Sequence, residues 1–89
     1  MSDSAVWIEL FTKPGCHLCE DARNVIEQAR SHYPFEFQII NIENNPKLEA
    51  AYGTDIPVVR INGNKAFKLR VSLQQLQGKL QKLWNRQTS

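Results

Sequence analysis

The sequence predicts an α/β domain of order βαβαββα, a four-stranded mixed sheet with three helices. Three observations predict it. Apolar runs from Val6 to Phe11 and from Phe35 to Ile42 flank a stretch with apolar residues at helical spacing. An Asn62-Gly63 pair joins two further apolar runs, the strongest short hairpin signal a sequence offers. A last stripe, Leu73, Leu76, Leu80, Leu83 and Trp84, closes the chain with one more amphipathic helix.

Each element has a local reason. Val6 to Phe11 is apolar except for Glu9, which suits a central strand covered on both faces. Pro14 and Gly15 then turn the chain. Leu18, Ala22, Val25, Ile26 and Ala29 form a stripe, so a first helix is expected from about Cys16 to about Ser31. Tyr33-Pro34 ends it, because the residue before proline is pushed out of helical geometry. A second strand follows, and a strand, a helix and a strand in one small sheet imply a parallel crossover. Asn45 as cap and Pro46 at the first position begin a short helix whose inner face is Leu48, Ala51 and Tyr52, with Gly53 as its left-handed stop. Pro57 opens the third strand, where a missing donor is tolerated. Ser72 caps the last helix, and the tail from Asn85 is expected to fray.

Composition bounds the function. The 89 residues make one small domain, 1–89, without repeat or interdomain linker. A net charge of +2 from 11 basic and 9 acidic residues argues for neither nucleic acid nor a membrane surface. No apolar run approaches a transmembrane length, and Met-Ser-Asp-Ser does not begin a signal peptide, so a cytoplasmic protein is expected. There, a Cys-x-x-Cys pair is more often catalytic or metal-binding than a structural staple.

That pair is Cys16 and Cys19, and they are the only cysteines. At a helix start, unpaired N–H groups and aligned peptide dipoles favour an anion, so Cys16 is expected to ionise more readily than a free cysteine. Lys13 adds positive charge nearby, and His17 adds more when protonated. Cys19 follows almost one helical turn later, placed to attack a mixed disulfide formed at Cys16. Metal is the rival chemistry, but closed zinc sites take four protein ligands, and only His17 and His32 are on hand to complete one.

The phrase KPGCHLCEDA, followed by YGTDIPVVRINGN, resembles the small glutaredoxin-like proteins of the thioredoxin superfamily. The resemblance implies a thioredoxin-like (glutaredoxin-type) fold and thiol–disulfide exchange, with Cys16 as nucleophile and Cys19 as resolving thiol. It also implies that Pro57 is cis and packed against the dithiol, and that the backbone of Ile56 pairs with a bound substrate. Lys13 and His17 complete the expected substrate-binding set. Glutathione-using members carry an aromatic between the cysteines and a Gly-Gly after the hairpin. Here stand His17-Leu18 and Lys65 to Val71, so glutathione is a doubtful reductant.

The expected partner is a disulfide-containing protein or a small thiol substrate, met by a monomer with no bound cofactor and no metal. Two other readings remain at the level of sequence. One is a non-catalytic thioredoxin-fold module that binds a partner protein; the other is a metal or iron–sulfur protein.

Overall fold

β1 (Trp7–Thr12) is the strand on which everything else is laid. The computed structural model describes residues 6–88, with side chains as far as Leu83. The place of Trp84 in the last stripe, the side chains of the expected tail from Asn85, and Ser89 itself therefore lie outside what is described. After β1 come α1 (His17–Arg30), β2 (Glu36–Asn41), α2 (Pro46–Tyr52), β3 (Val58–Ile61), β4 (Asn64–Lys68) and α3 (Leu73–Thr88). The expected order is met element by element, and the fold is thioredoxin-like.

The sheet runs β2-β1-β3-β4. β1 pairs in parallel with β2, setting Leu10 beside Ile39, and antiparallel with β3, setting Phe11 beside Val58. β4 returns antiparallel to β3 across the Asn62-Gly63 turn, with an irregularity between Val59 and Arg60. That turn takes left-handed backbone at both residues, φ 53° at Asn62 and 85° at Gly63, the conformation that twists with a hairpin and that Asn-Gly adopts at little cost. Trp7 N–H donates to Asn62 Oδ1 (2.9 Å) and Asn62 N–H donates to Trp7 O (2.9 Å), stitching the turn to the start of β1.

Strand alternation sends Ile8 and Leu10 to one face of the sheet and Phe11 to the other. The first face is covered by α1 and α3, which bring Ala22, Ile26, Ala29, Leu76 and Leu80 against Ile8, Leu10 and Val59. Each such large apolar side chain contributes about 1.5–3 kcal/mol on burial. The second face holds a smaller cluster, Phe11, Ile42 and Val58, closed by Leu48, Tyr52 and Ile56. Phe11 and Tyr52 rings meet at 4.8 Å in a tilted pair. Glu9, the one charge within β1, also turns to this face, where Arg60 of β3 answers it at 3.4 Å.

Three local expectations are corrected. The inward stripe of α1 is Cys19, Ala22, Ile26 and Ala29, while Leu18 is only half-buried; the stripe is rotated toward Cys19 because that residue itself packs as a small apolar one. Ala51 of α2 is exposed, since a helix of two turns laid on the rim of the sheet needs only Leu48 and Tyr52 to seal it. Gly53 ends α2 in right-handed backbone, φ −55°, not left-handed. Its role is room: a Cβ there would stand 2.5 Å from Glu49 O.

Candidate active site

The turn between β1 and α1 is short because Thr12 ends its strand where Pro14 and Gly15 redirect the chain, Gly15 at φ 79°. This brings Cys16 to the N-cap of α1 in extended backbone, φ −90° and ψ 109°. Its Sγ takes the place of a capping oxygen and accepts the Cys19 N–H at 3.1 Å. Cys16 and Cys19 form a disulfide with their Cα atoms 5.2 Å apart. Cys16 is half-exposed, whereas Cys19 is 4% exposed. Of the two sulfurs, that of Cys16 is therefore the one open to a molecule arriving from solvent, and Cys19 is shielded behind it.

The expected site residues fall at this end of the sheet in different ways. The Ile56–Pro57 peptide bond is cis, as the resemblance implies. Pro57 is fully buried one residue before Val58, whose partner in β1 is Phe11, so it stands at the same end of the sheet as Thr12 and the turn. Ile56 packs on the smaller core cluster. Among the described residues, its backbone N–H and C=O have no hydrogen-bond partner. Lys13 lines the hollow beside the dithiol, with its Nζ 3.4 Å from Glu49 Oε2 of α2. His17 is exposed at the first position of α1. Two further basic residues, Lys68 and Arg70, flank Leu69 at this end, whereas Lys65 lies toward the hairpin, 5.9 Å from the Tyr52 ring.

Four residues of the site were not visible as such in the sequence. Leu69, just after β4, holds φ 69°, and its N–H donates to Asp55 O (3.1 Å) and Pro57 O (2.8 Å). Leucine is an uncommon occupant of left-handed backbone, and only the folded loop imposes it. Ile39 is 44% exposed because β2 is an edge strand, and with Arg23 it lines the hollow beside the cysteines. Glu49 reaches Lys13 from α2. For Arg23 a signal existed: Cys16, Glu20 and Arg23 fall at i, i+4 and i+7, one face of a helix.

Among the described residues, no three His, Cys, Asp or Glu side chains converge to hold a metal ion, and no helix is long and apolar enough to cross a membrane.

The comparisons with known proteins agree with this arrangement. A thioredoxin of Methanocaldococcus jannaschii is 39% identical over 67 residues, 72% of this chain and 79% of that protein. A glutaredoxin-like protein of Dictyostelium discoideum is 36% identical over 70 residues, and the match spans 72% of this chain and 65% of that protein's length. In three dimensions, a structural-genomics protein from X. campestris superposes with a TM-score of 0.73 at 28% identity, covering 84% of this chain and 96% of its own. Thioredoxin 1 of Thermosipho africanus superposes with a TM-score of 0.70 at 16% identity, over 93% of this chain and 99% of that one, which speaks for the fold alone. The family described as Glutaredoxin-like domain (DUF836) matches residues 7–81, and the chain belongs to it.

Proposed function

We propose that the protein is a dithiol–disulfide oxidoreductase. The observation that carries this reading is Cys16 at the N-cap of α1, half-exposed, with the Cys19 N–H aimed at its sulfur. A thiolate there gains a hydrogen bond and the positive end of the helix dipole, neither of which a thiol needs, so the ionised form is favoured.

In the forward direction the Cys16 thiolate attacks one sulfur of a substrate disulfide. The Cys16 sulfur bonds to it, the substrate S–S bond breaks, and the other substrate sulfur leaves as a thiolate that takes a proton from water. Cys19 then gives its proton to solvent and attacks Cys16 Sγ, displacing the second substrate thiolate. The substrate disulfide has gained two electrons and become two thiols, and Cys16–Cys19 has become the disulfide seen in the structure. An external thiol reductant runs the same steps backward to restore the dithiol. Glutathione is one such thiol, although the residues that hold it in glutathione-using relatives are absent.

On this reading the substrate is a protein or small-molecule disulfide, held against the open backbone of Ile56 beside Pro57 and met by a cytoplasmic monomer without bound cofactor. Lys13 and His17 contribute positive charge at the rim. A redox titration in graded glutathione buffers, with thiols trapped and read by intact mass, tests it. A reversible two-thiol transition at a defined potential is expected; thiols that never pair, or a stoichiometric metal in their place, sinks it.

A further inference from the structure

The dithiol has two flanks. On the side of β3 stand Ile56 and Pro57. On the side of β2 lies a hollow of about 180 Å³, reached by both Cys16 and Cys19, whose lining does not include Pro57. Its floor is apolar, made by Leu10 and the exposed edge residue Ile39. Its charged members are Lys13, Glu20 and Arg23. Lys13 is already answered by Glu49 at 3.4 Å. Glu20 and Arg23 make no ion pair among the described residues, not even with each other across their i, i+3 spacing.

The hollow therefore offers one unanswered anion and one unanswered cation beside a reactive sulfur. Side chains on a helix lean toward its N-terminus, so Glu20 and Arg23 both lean along α1 toward the turn that carries Cys16. A substrate bearing only a carboxylate would satisfy Arg23 but face Glu20, and one bearing only an amine would do the reverse. A group carrying both charges on one carbon satisfies the two together.

Resting on the thiol-exchange reading, we propose that this hollow selects small disulfides whose sulfur arm ends in an α-amino acid, with Arg23 taking the carboxylate and Glu20 the ammonium. Cystine is the simplest such molecule. Its one-carbon link between sulfur and the α-carbon keeps both charged groups within the first helical turns of a mixed disulfide at Cys16.

Three probes with the same disulfide and nearly the same arm separate the charges: cystine, cystamine, which lacks the carboxylates, and dithiodipropionate, which lacks the ammonium groups. The full-length reduced protein is assayed for kcat/KM with each, alongside Arg23→Gln and Glu20→Gln. Both residues are exposed, so neither substitution threatens the fold. Arg23→Gln is expected to lower the cystine-to-cystamine ratio about fivefold, the upper end of what an exposed ion pair supplies. Glu20→Gln is expected to lower the cystine-to-dithiodipropionate ratio by a similar factor. Both effects should shrink in high salt.

Ratios that do not move, or three rates that fall by one common factor in either variant, overturn the assignment while leaving thiol exchange standing. A wild-type protein that reduces none of the three probes and shows no two-thiol transition overturns the exchange reading, and this assignment with it.

Discussion

The two flanks of the dithiol are built on different principles. The β3 flank is fixed by its backbone: Pro57 is buried and Leu69 is pinned by two carbonyls, and Leu69 lines a surface shared by the apolar Leu18 and Val71 and the charged Asp21 and Arg70. The β2 flank is made of long charged side chains over a small apolar floor, and little fixes it except Lys13 against Glu49. The first flank offers a fixed backbone to an extended segment, whereas the second offers charges on side chains that few contacts hold in place. One cysteine pair faces both, and each flank can be disturbed without the other.

The largest expected effect abolishes the comparison by removing what both flanks share. Cys16→Ser should end exchange with every disulfide, because no thiolate remains at the accessible position. Cys19→Ser should retain the first step and accumulate a mixed disulfide, visible by intact mass as the protein plus one substrate half. In that variant, the pH midpoint for alkylation of Cys16 should lie below that of a free cysteine, since the helix start and the residue 19 N–H favour the thiolate. Alkylation that follows an ordinary thiol in its pH dependence would leave the N-cap geometry without chemical consequence.

The next effect separates floor from rim within the β2 flank. Leu10 is 1% exposed beneath the hollow, so Leu10→Ala should cost about 2–5 kcal/mol of stability, as core truncations do. Its neighbour in register, Ile39, is nearly half open to solvent, and Ile39→Ala should cost roughly half of that or less by buried area. Urea denaturation of the two variants reads the difference directly, and equal losses would mean that β2 is not a free edge.

On the β3 flank the informative position is Leu69. A β-branched side chain is poorly tolerated at φ 69°, so Leu69→Ile should destabilise by about 1–2 kcal/mol. Leu69→Gly relieves the backbone and loses a side chain that is 43% exposed, so its net change should stay within about 1 kcal/mol. If isoleucine is accepted as readily as glycine, the loop is not held in the left-handed conformation in solution.

The smallest effect is expected from Glu49→Gln. The Lys13 pair is partly solvent-exposed on both sides, and such pairs contribute about 0.2–1 kcal/mol at most. Stability should hardly change, but Lys13 becomes a second free cation in the hollow. Dithiodipropionate should then gain on cystamine by a factor of a few, and the gain should vanish with added salt.

Much of this molecule follows from residues read in isolation. Pro14-Gly15 before Cys16, Asn45-Pro46 before Leu48 and Asn62-Gly63 between apolar runs each dictate a local conformation by their own sterics, and the structure forms a turn, a capped helix and a hairpin there. The spacing of Cys16 and Cys19 determines in the same way that a helix sets one sulfur over the next turn. The residues read one stretch at a time did not determine that β3 lies antiparallel beside β1. The order β2-β1-β3-β4 places Ile39 at an open edge and Pro57 on the opposite flank of the dithiol, and that depends on how two helices and the sheet share one core. The bonds that hold Leu69 in left-handed backbone, Glu49 against Lys13, and the hollow that Ile39 and Arg23 line together beside the cysteines likewise join segments far apart in the chain. Local sterics are blind to such pairings, because they exist only once packing has brought the segments together.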